Sequence, residues 1–192
     1  MNRLRSWIFP LSLALILSGL SAWLGRMSEV VIEEVKLSPD EPQYLMHTIE
    51  GRRYAVSGSL KEILSAHSAW QLPDRKNVYF RQPDLRLFDE GQVQYAIKSE
   101  NAHYAINSKK VFFENNVMLN KAADFARPAA AIRTAHLEVD TVSQIAQTQD
   151  PVTYRYGDSH GTANGMIYDN KNGLLNLPSR VRALIYDPKQ LP

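Results

Sequence analysis

From Tyr44 onward the chain is patterned in period two. Tyr54, Val56 and Gly58 alternate with Ala55 and Ser57, and Val93, Tyr95 and Ile97 with Gln94 and Lys98. The same holds for Ala135, Leu137 and Val139, for Val152, Tyr154 and Tyr156, and for Val181, Ala183 and Ile185. In an extended chain successive side chains point to opposite faces, so each run predicts a strand with one apolar face. Turn signals stand between the runs: Pro73-Asp74, Asp89-Glu90-Gly91, Asn107-Ser108, Asn115-Asn116, Gly157-Asp158, Asp169 to Gly173, and Pro178-Ser179. Short strands separated by turns at this spacing predict an all-β domain. Ser59 to Ser68 carries Leu60, Ile63, Leu64 and His67 at helical offsets, but it directly follows a strand-like run and is read as a strand or bent strand.

A weak internal repeat overlies the alternation. Ile97 to Ala102 leads to Asn116-Val117-Met118-Leu119, Ile132 to Leu137 leads to Pro151-Val152, and Gly161 to Met166 leads to Arg180-Val181-Arg182. Upstream, Leu64-Ser65-Ala66 leads to Pro83-Asp84-Leu85. Each unit is a strand, a turn and a returning strand. Stacked, such units form a long curled sheet with a common interior. An ordinary sandwich with similar hairpins fits the pattern equally well.

Ahead of the strands lies Ser6 to Gly25, a run without charge. As a helix rising about 1.5 Å per residue it would span about 30 Å, the thickness of a bilayer's hydrocarbon core. Arg3 and Arg5 precede it, so the positive-inside bias puts residues 1–5 in the cytoplasm and the domain on the far side. Trp7 and Trp23 sit near the two ends, where amphipathic rings favour the interface. A cleaved signal peptide is the competing reading, because Gly19-Leu20-Ser21 puts small residues before Ala22. The apolar run continuing through Trp23 and Leu24 favours a retained anchor. Residues 26–43, acidic and interrupted by Pro39 and Pro42, read as a tether, with a short strand at Val30-Val31-Ile32 as the alternative. Residues 44–188 then form one exported domain.

The formal net charge of +2 does not describe that domain. Without Arg3, Arg5 and Arg26 there remain 19 bases against 20 acids, so no basic face for nucleic acid is implied. There is no Cys, hence no disulfide and no thiol nucleophile. His47, His67, His103, His136 and His160 are isolated, with no metal-ligand spacing, and no Gly-x-Ser-x-Gly or phosphate loop occurs. Asp89-Glu90-Gly91 reads as a hairpin rather than an acid/base pair. The expectation is a protein without catalytic residues, metal or cofactor.

What remains is apolar surface. Either the alternating face is an ordinary core, or a curled sheet leaves it open to acyl chains, whose burial is worth roughly 0.8 kcal/mol per methylene and needs no charged clamp. Tyr54, Leu85, Tyr95, Ile97, Tyr104, Val117, Leu119 and Val152 are the candidates for such an interior. An open sheet also leaves unpaired backbone groups at both edges, to which another protein can add a strand. Tyr44 and Val56 mark one candidate edge, Arg180 and Arg182 the other.

Several short motifs occur in a telling order. Pro42-Gln43-Tyr44 follows the apolar run. Phe80-Arg81-Gln82-Pro83-Asp84-Leu85 comes next, then Ile132-Arg133-Thr134 with Leu137-Glu138-Val139-Asp140. Gly161-Thr162-Ala163-Asn164-Gly165-Met166 and Arg180-Val181-Arg182 close the series. In this order and spacing the chain resembles the LptC family of lipopolysaccharide export. The resemblance implies a twisted, open β-jellyroll behind one transmembrane helix, with an interior holding the acyl chains of lipopolysaccharide. It implies an inner-membrane ABC exporter, two permeases with a dimeric ATPase, as partner at the N-terminal edge. An LptA-like bridge protein would be the partner at the C-terminal edge. By motif, Phe80, Leu175, Val181 and Ile185 should face the lipid. A longer polar stretch from Ser68 to Asn77 departs from the pattern and leaves the register between Tyr54 and Phe80 open. The alternative function is an exported envelope-assembly scaffold that binds only protein partners through its sheet edges.

Overall fold

The computed structural model describes residues 5–27, 38, 41–73, 76–125 and 127–186. The chain divides into two units, Met1–Lys36 and Leu37–Pro192. The first holds one helix, α1 (Arg5–Met27). Its side chains are described from 13 to 26 only, a length of about 21 Å at about 1.5 Å per residue. Among the described residues no helix is long and apolar enough to cross a membrane. The cytoplasmic tail and most of the tether, with the short strand considered at Val30-Val31-Ile32, lie outside the described residues.

The second unit is a single 12-stranded antiparallel sheet. In chain order its strands are β1 (Tyr44–Tyr54), β2 (Leu60–Gln71), β3 (Asn77–Arg81), β4 (Asp84–Asp89), β5 (Gln92–Lys98) and β6 (Asn101–Ala105). They continue as β7 (Lys110–Lys121), β8 (Ala130–Asp140), β9 (Ile145–Tyr156), β10 (Ser159–Asp169), β11 (Leu174–Asn176) and β12 (Ser179–Leu184). The helical offsets in Ser59 to Ser68 did not prevail: β2 takes in Leu60 to Ser68 and continues through Gln71, bringing the start of the polar stretch into the sheet. The open register closes as Tyr54↔Leu60 on β1 and Ala69↔Phe80 on β3.

Three pairs of short strands are single strands broken at mid-length. β3 and β4 run in succession along β2, β5 and β6 along β7, and β11 and β12 along β10. The breaks fall at Gln82-Pro83, Ser99-Glu100 and Leu177-Pro178. The uninterrupted strands are disturbed at the same height, by register shifts between Glu114 and Val117, between Arg133 and Glu138, and between Asn164 and Met166. Positive φ at Thr48, Gln82, Asn115, Asn116 and Gly165 marks the same line. Bulges bend a strand and raise its twist. A row of them across neighbouring strands folds the whole sheet over, so its two halves face each other around one interior. Asn115-Asn116 is therefore a bulge inside β7 and not the turn expected from its composition. Asn adopts the left-handed region more readily than other non-glycine residues, which is why it serves in either place.

The hairpin tips carry their own locks. Asp140 accepts backbone hydrogen bonds from Val142 and Ser143, both 2.9 Å, and Asp169 accepts one from Asn172 at 3.0 Å. These donors stabilise the ionised carboxyls and hold both below the usual carboxylate range: the Ser143 amide leads for Asp140, the Asn172 amide for Asp169.

The interior and its two openings

Between the halves lies one apolar cluster that includes Ile97, Phe113, Val117, Leu119, Ile132, Leu137, Val152 and Met166. Residues from both sides of the bend meet in it: β7, β8, β9 and β10 each contribute from both of their halves. Phe113 pairs across strands with Ala102 and Leu137, and with Met166 it fills the middle of the interior. Phe113, Leu137, Met166, Val117 and Val152 are fully buried, and two cavities flank this cluster.

One cavity, about 360 Å³, borders the N-terminal side of the sheet and is lined by Leu64, Phe80, Leu85, Tyr104, Val111 and Phe113. Arg53 of β1 and Glu62 of β2 also line it, Arg53 donating from Nε to the Glu62 carboxylate at 3.0 Å. A second cavity, about 280 Å³, borders the C-terminal side and is lined by Tyr95, Leu119, Lys121, Ile132, Tyr168 and Leu175 among others. The Tyr95 and Tyr168 hydroxyls lie 3.0 Å apart, joining strands 73 positions apart in sequence across the two halves. Burial, then the hydrogen bond with Tyr168, keeps the Tyr95 phenol well above its ordinary pKa and hence neutral. Each cavity reaches only about the lower end of the range for drug-sized ligand sites, roughly 300–1,000 Å³.

The candidate lining residues divide into three sets. Ile97, Val117, Leu119 and Val152 are buried in the central cluster, and Phe80 and Leu85 pack against it. Tyr95, Tyr104 and Leu175 line the cavities. Val181 and Ile185 are exposed at the C-terminal edge, Ile185 to 79%. Tyr54, the last residue of β1, follows a register shift after Arg53 and is half-exposed, bonding with Arg52.

Among the described residues both sheet edges are open: β1 pairs only with β2, and β11 and β12 pair only with β10. Tyr44 lies on β1, and Arg180 and Arg182 lie on β12, while Val56 sits past β1, on the β1–β2 hairpin tip. Of the histidines, His103 faces Glu114 at 3.2 Å and stacks on Phe112 at 4.7 Å, and His136 meets Asp150 at 2.5 Å. Among the described residues no group of His, Asp and Glu is placed to hold a metal ion.

Missed in the sequence were Phe113, Leu137, Met166, Lys121 and Arg127, although Leu137 lay in a recognised alternating run. Phe113 adjoins Phe112, and nothing in a doublet says which ring turns inward. Met166 follows Gly165, whose positive φ shifts the alternation by one residue. Lys121 and Arg127 gave no signal, since a basic residue at the end of a strand reads as solvated.

A bent antiparallel sheet around one apolar interior, with β1 at one edge and β11 and β12 at the other, is an open β-jellyroll. The crystal structure of LptH, the LptA-homologous periplasmic component of the lipopolysaccharide transport device of Pseudomonas aeruginosa, superposes with a TM-score of 0.55. The match covers 66% of this chain and 95% of that one at 8% identity, so it speaks for the fold alone. The sequence matches the family described as Lipopolysaccharide-assembly, LptC-related, over residues 11–187. The chain belongs to that family, which places it in lipopolysaccharide transport and not among enzymes. No curated protein matches it in sequence.

Proposed function

We propose that the protein is a non-enzymatic lipopolysaccharide transfer component of the inner membrane, its N-terminal helix the anchor and its sheet domain periplasmic. In this reading it accepts lipopolysaccharide at the β1 edge from an ABC exporter of two permeases and a dimeric ATPase. Acyl chains move along the apolar interior, and the lipid leaves at the β12 edge to an LptA-like bridge protein. The observation that carries the reading is the pair of apolar cavities, one towards each open edge. An open edge offers backbone groups to a partner's strand, which would continue the interior from one jellyroll into the next.

The packed middle around Phe113, Leu137 and Met166 favours a second reading, a scaffold that binds only proteins through its edges. One experiment separates the two. A photo-crosslinking residue placed in living cells at Phe80, Tyr104, Leu175 or Val181 should capture lipopolysaccharide, whereas one at the outward Thr162 should not. Capture of proteins alone at all four of these positions would leave only the scaffold. Truncation before Arg180 should abolish capture of the bridge protein and spare the exporter contact; retention of the bridge protein would reject the assignment of the β12 edge.

A further inference from the structure

Lys121 is the unexpected residue of the interior. It ends β7 opposite Tyr95 and Ala130, and its side chain turns inward to line the C-terminal cavity with 9% of its surface exposed. A buried ammonium is costly unless paired. Lys121 Nζ donates to the Asp124 carboxylate at 2.8 Å and to the Ala122 carbonyl at 3.2 Å, which leaves one of its three protons for a further acceptor. Arg127 lines the same cavity, and a Cβ on Gly173 would collide with its guanidinium, so the glycine leaves the room it occupies. The Tyr95 and Tyr168 hydroxyls stand on the same wall, and Leu119, Ile132 and Leu175 make the rest apolar. The apolar wall suits an alkyl chain, and the two cations suit an anion at its end.

We propose that this cavity is a seat for the anionic headgroup of an amphiphile, held by Lys121 and Arg127, with Asp124 occupying the anion's place until it is displaced. The proposal rests on the reading of the interior as an acyl-chain site and adds a clamp to it. An interior of hydrocarbon alone would let a lipid slide freely in either direction. A charge-assisted contact beside the β11–β12 edge instead makes the C-terminal end the resting place of the headgroup. Asp124 is an internal competitor: it keeps Lys121 paired when the seat is empty and sets a threshold that a stronger anion must exceed.

The test uses the full chain in phosphatidylcholine nanodiscs, with bound probe counted by native mass spectrometry. The probes are dodecyl phosphate, dodecyl maltoside with the same chain and no charge, and inorganic phosphate. Lys121→Met should weaken dodecyl phosphate binding by roughly ten- to a hundredfold, the worth of hydrogen bonds to a charged group, and leave dodecyl maltoside unchanged. Lys121→Arg should restore most of the affinity, and Asp124→Asn should exceed wild type. Lys121→Gln substitutes if the Met variant loses its sheet signal by circular dichroism. Equal loss of both dodecyl probes, or no loss of dodecyl phosphate, would overturn the clamp. Inorganic phosphate binding as tightly as dodecyl phosphate would make the site one for free anions and overturn the headgroup assignment. If neither dodecyl probe binds wild type, the acyl-chain reading itself fails; if maltoside binds and phosphate binds no better, only the clamp fails.

Discussion

Replacing Thr134 with Val should make the protein more stable, against the usual direction of a core substitution. Thr134 faces the interior from β8, opposite Val117, and is 9% exposed. Its Oγ1 has no hydrogen-bond partner among the described residues. On the same face of β8 lie Ile132 and, past the bulge, Leu137, both in the apolar cluster. A buried hydroxyl without a partner costs about 1–3 kcal/mol in lost hydration. Valine keeps the branched shape that suits a strand and puts a methyl where the hydroxyl was. The expected gain is therefore about 1–3 kcal/mol. At about 2–4 °C per kcal/mol for a domain of this size, the melting midpoint should rise by about 2–12 °C. The measurement is paired thermal and urea unfolding of wild type and variant, with an unchanged urea slope showing that the denatured state is the same. Ile132→Val, which removes one methylene from the adjacent inward position, is the control and should cost about 0.5–1.5 kcal/mol. Because most substitutions destabilise, the sign alone is informative. If Thr134→Val loses stability as the control does, the hydroxyl is hydrogen-bonded and the interior is less dry at the bend than described.

Two further perturbations read other parts of the fold. Gly161 of β10 lies under the edge strand β12, and a Cβ there would overlap the Arg182 carbonyl oxygen and stand 2.6 Å from the Tyr154 hydroxyl. Gly161→Ala should loosen β12, seen as faster amide exchange across residues 179–184 with the β7–β8 amides unchanged; unaltered exchange at β12 would refute the close approach. For Asp140 and Asp169 the folded-state pKa lies below the unfolded one, so their contribution is present above the ordinary Asp value, about 3.9, and is lost as pH falls through the folded value. The double variant Asp140→Asn, Asp169→Asn should flatten the acid limb of the melting midpoint below about pH 4; an acid limb as steep as wild type's would show that other carboxyls govern it.

The alternation of Val93 to Ile97 or Val152 to Tyr156 is enough to define a strand, since one buried face and one wet face demand period two. Leu85, Ile97 and Val152 could be assigned to the interior for the same reason. Tyr54 ends β1 just past a register shift, where alternation no longer tells which way a side chain turns. The larger difficulty is that the inward set changes parity at the bend. Leu64 and Ala66 give way to Ala69 on β2, Ile97 to Ala102 across β5 and β6, and Ala163 to Met166 on β10. A bulge adds one residue to one strand and exchanges its faces, so a phase read from one half of a strand is wrong in the other. Asn115-Asn116 shows the same limit, since its tolerance of positive φ serves a turn and a bulge alike.

By itself the sequence determined the class of fold, the strands and most hairpins, and a family whose motifs keep their order along the chain. Those properties are local: they depend on which side chains alternate and which residues accept a turn. Only the tertiary structure decided that the bulges align into one bend, which residues close the middle, and that Lys121 and Arg127 flank the same cavity as Leu175. Such juxtapositions join residues far apart in the chain. They arise because neighbouring strands bend at a common height, a condition set between strands and carried by no single one of them.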